Sequence, residues 1–446
     1  MERNIGLLGT TSIIVGLIVG AGAFVLPDTL AGSTDASAFL AILVAAIPAV
    51  FIGLFNAQLG SALPVTGGNY VYISRLVSPR YGFLIAWMFI VQAIAATTLV
   101  ATGFSESLSL LVDVPGWAAN VGLVVLLLLI NIVGLRAAKR VQITMVAFII
   151  GAILLFVVLG LTETSGENYG PLFPEGMSPF FAAIGSFYFS YIGITAITEL
   201  GGEIKNPKRT LPLALGISNG LAAMLYTALV FTLVGVENWQ QLGQMDAAVA
   251  EASQLFLPAW MTTLVTLGSI VAIATTVNAT FAALSRTIMR AGREGALPKL
   301  FGRRHERFDT PLYALLLIGI PSLVLVGLDP GLPFVSTVSV LVILLTNFLL
   351  GLALYRLPDV YPMKYRNADL RISEPVLKVL IAVGLLVTFA FGVMTAVGSF
   401  IGTAVTVSWL VLGLGVYVTR RRKFAGTDDD LEKTMSAPPE LDGESS

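Results

Sequence analysis

Cysteine is missing from all 446 residues, and histidine occurs once, as His305. The first absence excludes disulfides, thiolate metal centres and thiol nucleophiles. The second removes any histidine set for a metal, and His305 sits among Arg303, Arg304 and Arg307, where it reads as a solvated loop residue. Charge is scarce too. Asp, Glu, Lys and Arg make up 12% of the chain, against about 25% in a soluble domain. The net charge of -1 points to no charged partner, so no nucleic acid is expected. No GxxxxGK[ST] pattern marks a nucleotide-driven pump. No apolar run holds paired carboxylates, a metal cluster or a nucleophile beside a base, so nothing marks an enzyme. The first apolar run has only Arg3 as a basic residue before it and is broken by glycines, so it reads as a retained span rather than a cleaved leader.

What is abundant is apolar. Hydrophobic residues make up 56% of the chain, and the mean hydropathy is +0.86. No soluble core needs that much apolar surface, whereas lipid solvates it. A bilayer core takes about 20 apolar residues per helix. Twelve runs qualify, at approximately 6–30, 38–60, 80–105, 118–135, 139–161, 178–201, 212–236, 258–288, 311–328, 331–355, 375–395 and 397–419. An even number places both termini on one side. With the termini inside, all 26 Lys and Arg fall in cytoplasmic segments, from Arg3, Arg75 and Arg80 to Arg420 and Lys433. The outer loops hold only acids, such as Asp35, Asp113, Glu163 and Glu237. That is the positive-inside pattern, and a miscounted span would break it. The spans make one transmembrane unit over residues 1–424. Residues 425–446 are acidic, with Asp428, Asp429, Asp430 and Pro438-Pro439, and have too little apolar content to fold. They are expected to form a disordered cytoplasmic tail.

Two spans differ from the rest. The first carries Gly16, Gly20 and Gly22 among small residues and ends at Pro27. The sixth is interrupted by Ser190-Tyr191-Ile192-Gly193. Unwound backbone at membrane depth must line a cavity or a ligand, although Gly16 and Gly20 would equally serve close helix packing. Paired breaks in corresponding places of two halves point to a transporter site. Half-helix N-termini suit a carboxylate, and freed carbonyls suit an ammonium or a metal cation.

Four stretches carry a family resemblance. They are Gly20-Ala21-Gly22 with Phe24, Pro64-Val65-Thr66-Gly67-Gly68-Asn69-Tyr70, Glu203 to Arg209 followed by Pro212, and Ser285 to Pro298 followed by Thr310-Pro311. In that order, across about residues 5–420, the chain resembles the amino acid–polyamine–organocation transporters. The resemblance implies an all-α membrane protein of the leucine-transporter type. Its twelve helices would form an inverted repeat, about 6–161 against 178–355, with two further helices over 375–419. It also implies a secondary amino acid transporter of the cell membrane, working by alternating access.

Carried over residue by residue, the N–H groups of Ala21, Gly22 and Ala23 would hold the substrate carboxylate. Carbonyls near Ile18 and of Phe189 and Ile192, beside Ser190, would take the amine. Phe189 falls where the family places an aromatic lid, though ordinary core packing also explains a membrane phenylalanine. Thr195 stands where members handling cationic substrates can place an acid, so neutral amino acids are expected. Ile149 stands where some relatives place a lysine, so that device looks absent. Thr275 and Thr276, with carbonyls of Gly16 and Val19, form a candidate sodium site, against the alternative that both threonines bond back to their own helix. Beyond that ion no cofactor is expected, and proton coupling remains the other choice. An amino acid or amine exchanger, and a nutrient receptor that binds without cycling, are the alternative functions.

Overall fold

The computed structural model describes residues 4–31, 35–173, 176–245, 247–328, 332–424 and 430–438. Within them, the side chains of some helical residues, including Ala21, Phe189 and Ile192, lie outside the described residues. The chain runs through α1 (Leu7–Ala31), α2 (Ala38–Ala62), α3 (Gly68–Leu76), α4 (Pro79–Ser109), α5 (Gly116–Val133) and α6 (Leu135–Gly160). Next come α7 (Met177–Tyr191), a 3-10 helix (Ile192–Glu199), α8 (Pro207–Val236) and the short α9 (Trp239–Leu242) and α10 (Ala248–Ser253). The remainder is α11 (Ala259–Arg293), α12 (Leu312–Leu328), α13 (Leu332–Val360), α14 (Pro362–Arg366), α15 (Glu374–Gly398), α16 (Phe400–Phe424) and α17 (Leu431–Ser436). Ten described helices are long and apolar enough to cross a membrane, and α12 is a shorter apolar one. The chain is an all-helical, multi-pass membrane protein. The expected sixth span, 178–201, is not one regular helix, because α7 stops at Tyr191 and tightens into 3-10 turns.

Helix boundaries follow local chemistry. Ser78 caps α4 by accepting from the Tyr81 N–H, and Pro79 opens the first turn where no N–H is needed. Gly67 enters α3 at φ 72°, a left-handed conformation that a side chain would strain. The loop before it, Pro64 to Gly67, lies on the end of the 3-10 helix, where Thr66 pairs with Leu200 and the Gly67 N–H donates to the Glu199 carbonyl.

The helices pack into two main cores. One is built chiefly from α1, α2, α6, α7 and α8, the other chiefly from α3, α4, α5, α12 and α13, with α15 and α16 packed against it. α11 lies between them. It gives Ala272 and Ala279 to the first core and Ile273, Val277 and Phe281 to the second. Outward residues such as Leu126, Val158, Ile320, Phe389 and Phe400 are large, apolar and exposed, as a lipid-facing surface requires. α4 and α16 are joined by stacked Trp87 and Trp409, each of which donates its indole N–H to the other's carbonyl.

At one end of the bundle the chain segments tie together. Ile5 pairs with Ile204, Arg286 pairs with Glu203 at 3.2 Å, and Arg75 of α3 pairs with Glu294 at 2.8 Å. Of the tail expected to be disordered, residues 430–438 are described. They form α17, capped by Asp430, with Leu431 and Met435 buried against the bundle. Arg75 also donates to the Thr434 and Ala437 carbonyls. Two apolar residues four apart, Leu431 and Met435, give this acidic segment one side to bury.

Candidate functional site

α1 is helical throughout except at Gly20, whose ψ of -118° leaves the helical region. The kink falls inside the expected break but is one residue wide. Proximity explains it. A side chain at Gly20 would collide with the Thr276 hydroxyl and the Ala272 carbonyl of α11. One at Gly22 would meet the Tyr226 hydroxyl of α8 and Ser190 of α7, and one at Gly193 would meet the Leu17 carbonyl. The glycines therefore permit both the kink and close backbone approach.

Between α1, α4, α7 with its 3-10 extension, α11 and α13 lies a cavity of about 100 Å³. One buried water needs about 10–15 Å³, so the space suits a small solute. Ile18 and Gly22 of α1, Ser190, Gly193 and Thr195 line one side. Thr276 and Thr280 of α11, Gln92 and Phe89 of α4, Thr346 of α13 and Asn69 line the rest. Among the described residues, none that lines it is charged.

The expected site residues separate into three groups. Ile18, Gly22, Ser190 and Thr276 meet at the cavity. Ala23, Gly16, Val19 and Thr275 are not among the residues that line it, and Ala23, Val19 and Thr275 are fully buried. Ala21, Phe189 and Ile192 hold their places in the two helices, but their side chains lie outside the described residues. The Gly16 carbonyl accepts from the Thr275 hydroxyl at 3.2 Å and the Thr276 hydroxyl at 3.3 Å. Both hydroxyls also reach the Ala272 carbonyl, at 2.6 and 3.4 Å. Back-bonding and a link to α1 thus coexist.

Sequence reasoning missed Tyr226. Its hydroxyl donates to the Ile18 carbonyl, the one assigned to the substrate amine, and its ring meets Tyr191 edge-on. Its only signal is one hydroxylated aromatic in an apolar run. Asn69 belongs to a quoted motif, yet its place at the cavity depends on the loop folding back over residues 195–200. There its amide group reaches the Thr195 carbonyl and accepts from Thr198. Asn278 is a structural bridge, bonded to Asn131 at 2.8 Å and to Gln142 at 2.7 Å. Glu106 is exposed.

A bundle of apolar helices around an uncharged cavity, bounded by a kinked helix and a broken one, defines a multi-pass membrane protein with an internal cavity at its helix breaks. Comparison with known proteins narrows the class. The amino acid permease family model matches residues 5–418. The chain therefore belongs to the amino acid permease family, a transporter family of the amino acid–polyamine–organocation superfamily and not an enzyme family. It is similar to a methylthioribose transporter of Bacillus subtilis strain 168, 26% identical over 340 residues, 72% of this chain and 74% of that one. It is also similar to a branched-chain amino acid permease of the same strain, 24% identical over 355 residues, 74% and 76% of the two chains. A vacuolar cationic amino acid transporter of Arabidopsis thaliana is 25% identical over 345 residues, 72% of this chain and 57% of that one.

Proposed function

We propose that this chain is a secondary active transporter for neutral, small to medium amino acids, working by alternating access. The observation that carries this reading is the uncharged cavity at the kink of α1 and the end of α7. Relatives are named for branched-chain and for cationic substrates, and the cavity favours the neutral choice. A guanidinium buried without a carboxylate partner is strongly disfavoured. A zwitterion needs no charged side chain. The N–H groups of Ala21, Gly22 and Ala23, just past the kink, take its carboxylate at a positive helix end. The carbonyls of Ile18, Phe189 and Ile192, beside Ser190, take its ammonium. Ile18 already accepts from Tyr226, but a carbonyl has two lone pairs. Phe189 is assigned the lid.

The same reading gives the chain twelve spans as a five-plus-five inverted repeat with two added helices. It sets both termini on the cytoplasmic side of the plasma membrane, in line with the bacterial relatives. Transport runs on a sodium or proton gradient, with Thr275, Thr276 and the Gly16 and Val19 carbonyls as the sodium ligands.

The test is uptake by purified protein in liposomes. Labelled alanine or leucine should enter, with neutral amino acids competing best. Arginine or putrescine outcompeting alanine, serine, leucine and phenylalanine would overturn the substrate assignment. Gly22→Leu should fill the cavity and abolish the thermal stabilisation given by substrate, about 2.7 kcal/mol at a hundredfold excess over Kd. Its ligand-free melting should fall, since a side chain at Gly22 meets Tyr226 and Ser190, while the chain still folds.

A further inference from the structure

One buried acid has no role in the site above. Glu199 ends the 3-10 helix and is fully buried. Its carboxyl accepts from the Thr287 hydroxyl of α11 and, at 3.3 Å, from the Asn69 N–H. Among the described residues no cation pairs with it. A carboxylate offers about four acceptor positions, and the neutral donors of Thr287 and Asn69 leave a buried negative charge without a countercharge. A neutral acid fits that environment, and it can also donate.

The charged and titratable groups around it are engaged elsewhere. Tyr72 of α3 donates to the Leu63 carbonyl at 2.9 Å. On α11, Arg286 pairs with Glu203 and Arg290 with Glu294. Lys208 and Arg209 of α8 are exposed. The segments Leu7–Phe24 and Ala38–Ala62 of α1 and α2 hold no ionisable residue.

Position gives the acid its meaning. Asn69 both lines the cavity and bonds Glu199, so the acid lies just beyond the cavity lining. Thr287 sits on α11, so the Glu199–Thr287 bond joins the end of the sixth span to α11, one residue from the Arg286–Glu203 pair. Separation of these two elements would bring water to the carboxyl and stabilise its charged form. Glu199 thus bonds a residue of the cavity lining on one side and α11 on the other.

We propose that Glu199 is the proton-carrying group of the transport cycle, protonated while the ends of the sixth span and α11 are joined and deprotonated when they part. On parting, the carboxyl O–H bond breaks, the proton passes to cytoplasmic water, and the carboxylate keeps the electron pair. Reloading occurs through the cavity when it faces outside. This rests on the transporter reading and identifies its coupling group.

The experiment measures substrate accumulation in liposomes at zero membrane potential, with the outside one pH unit more acidic. One proton per substrate sustains about tenfold accumulation. The native chain should approach that value. Glu199→Gln, which cannot release a proton, should fall to about onefold, and its substrate exchange should lose its pH dependence. Thr287→Val removes a donor to the carboxylate, so the pH midpoint of exchange should move to a more alkaline value. Tenfold accumulation by Glu199→Gln, or an unmoved midpoint in Thr287→Val, overturns the proposal. Native protein that exchanges substrate but does not accumulate it under the gradient overturns the proposal while leaving the transporter reading intact. Native protein that neither exchanges nor accumulates substrate defeats both.

Discussion

At the scale of residues, the cavity is made by what is small. Gly20, Gly22 and Gly193 let α1 approach α11, α8 and α7, and a side chain at any of them would strike a neighbour. Thr275 and Thr276 illustrate how closely a bonding role and an ion-binding role can overlap. Both hydroxyls already reach the Gly16 carbonyl, so an oxygen-rich corner exists where α1 meets α11. If sodium uses it, substrate should bind more tightly in sodium chloride than in choline chloride at fixed pH. Coupling between sites is typically about 5–150-fold. Thr275→Ala and Thr276→Ala should each remove most of that difference. Equal binding in the two salts, or a full sodium effect in both variants, would rule this corner out.

At the scale of elements, the short pieces join the long ones. α3 receives Arg75's partners from two directions, Glu294 after α11 and the backbone of α17. Burial pushes the Glu294 carboxyl up, but the bond and charge of Arg75 and the charge of Arg290 outweigh it and hold the group below the usual carboxylate range. A depressed carboxyl contributes stability above its unfolded value and loses it as pH falls through the folded one. The clamp should therefore persist at neutral pH and loosen only in acid. Docking of α17 depends on Leu431 and Met435. Burying a side chain of this kind stabilises by about 1.5–3 kcal/mol. Met435→Asp should therefore raise tryptic cleavage after Lys433 about tenfold or more in solubilised protein, since about 1.4 kcal/mol is tenfold in an opening equilibrium. Unchanged cleavage would mean that the segment is held by something other than Met435.

At the scale of the whole molecule, α11 lies between the two cores, and residues of both line the cavity. The proposed orientation can be tested directly because the chain has no cysteine to remove. Ser165→Cys and Ser436→Cys both introduce a thiol at an exposed position. In intact cells an impermeant maleimide should label the first and spare the second, and opened membranes should expose both. Labelling of Ser436→Cys from outside intact cells would invert or break the topology.

The sequence by itself determined the class of environment and the order of the helices. Hydrophobic runs of bilayer length and one-sided Lys and Arg need no knowledge of neighbours, because lipid and the membrane interface act on each segment separately. It also marked Gly20, Gly22, Ser190 and Gly193 as irregular, since glycine and polar residues stand out in an apolar helix. It did not show that the first break is a single kinked residue, or that the second is a passage into 3-10 turns. Nor did it show that Tyr226 caps Ile18, or that part of an acidic tail folds onto the bundle. Tertiary structure decided these, because each depends on which backbone comes within reach of which side chain. Glu199 shows the difference most plainly. In sequence it is one of several acids near a span end, where a carboxylate can reach water or a loop lysine. In the fold it is buried and bonded to Asn69 and Thr287, with no cation paired to it among the described residues, and only packing could place it there.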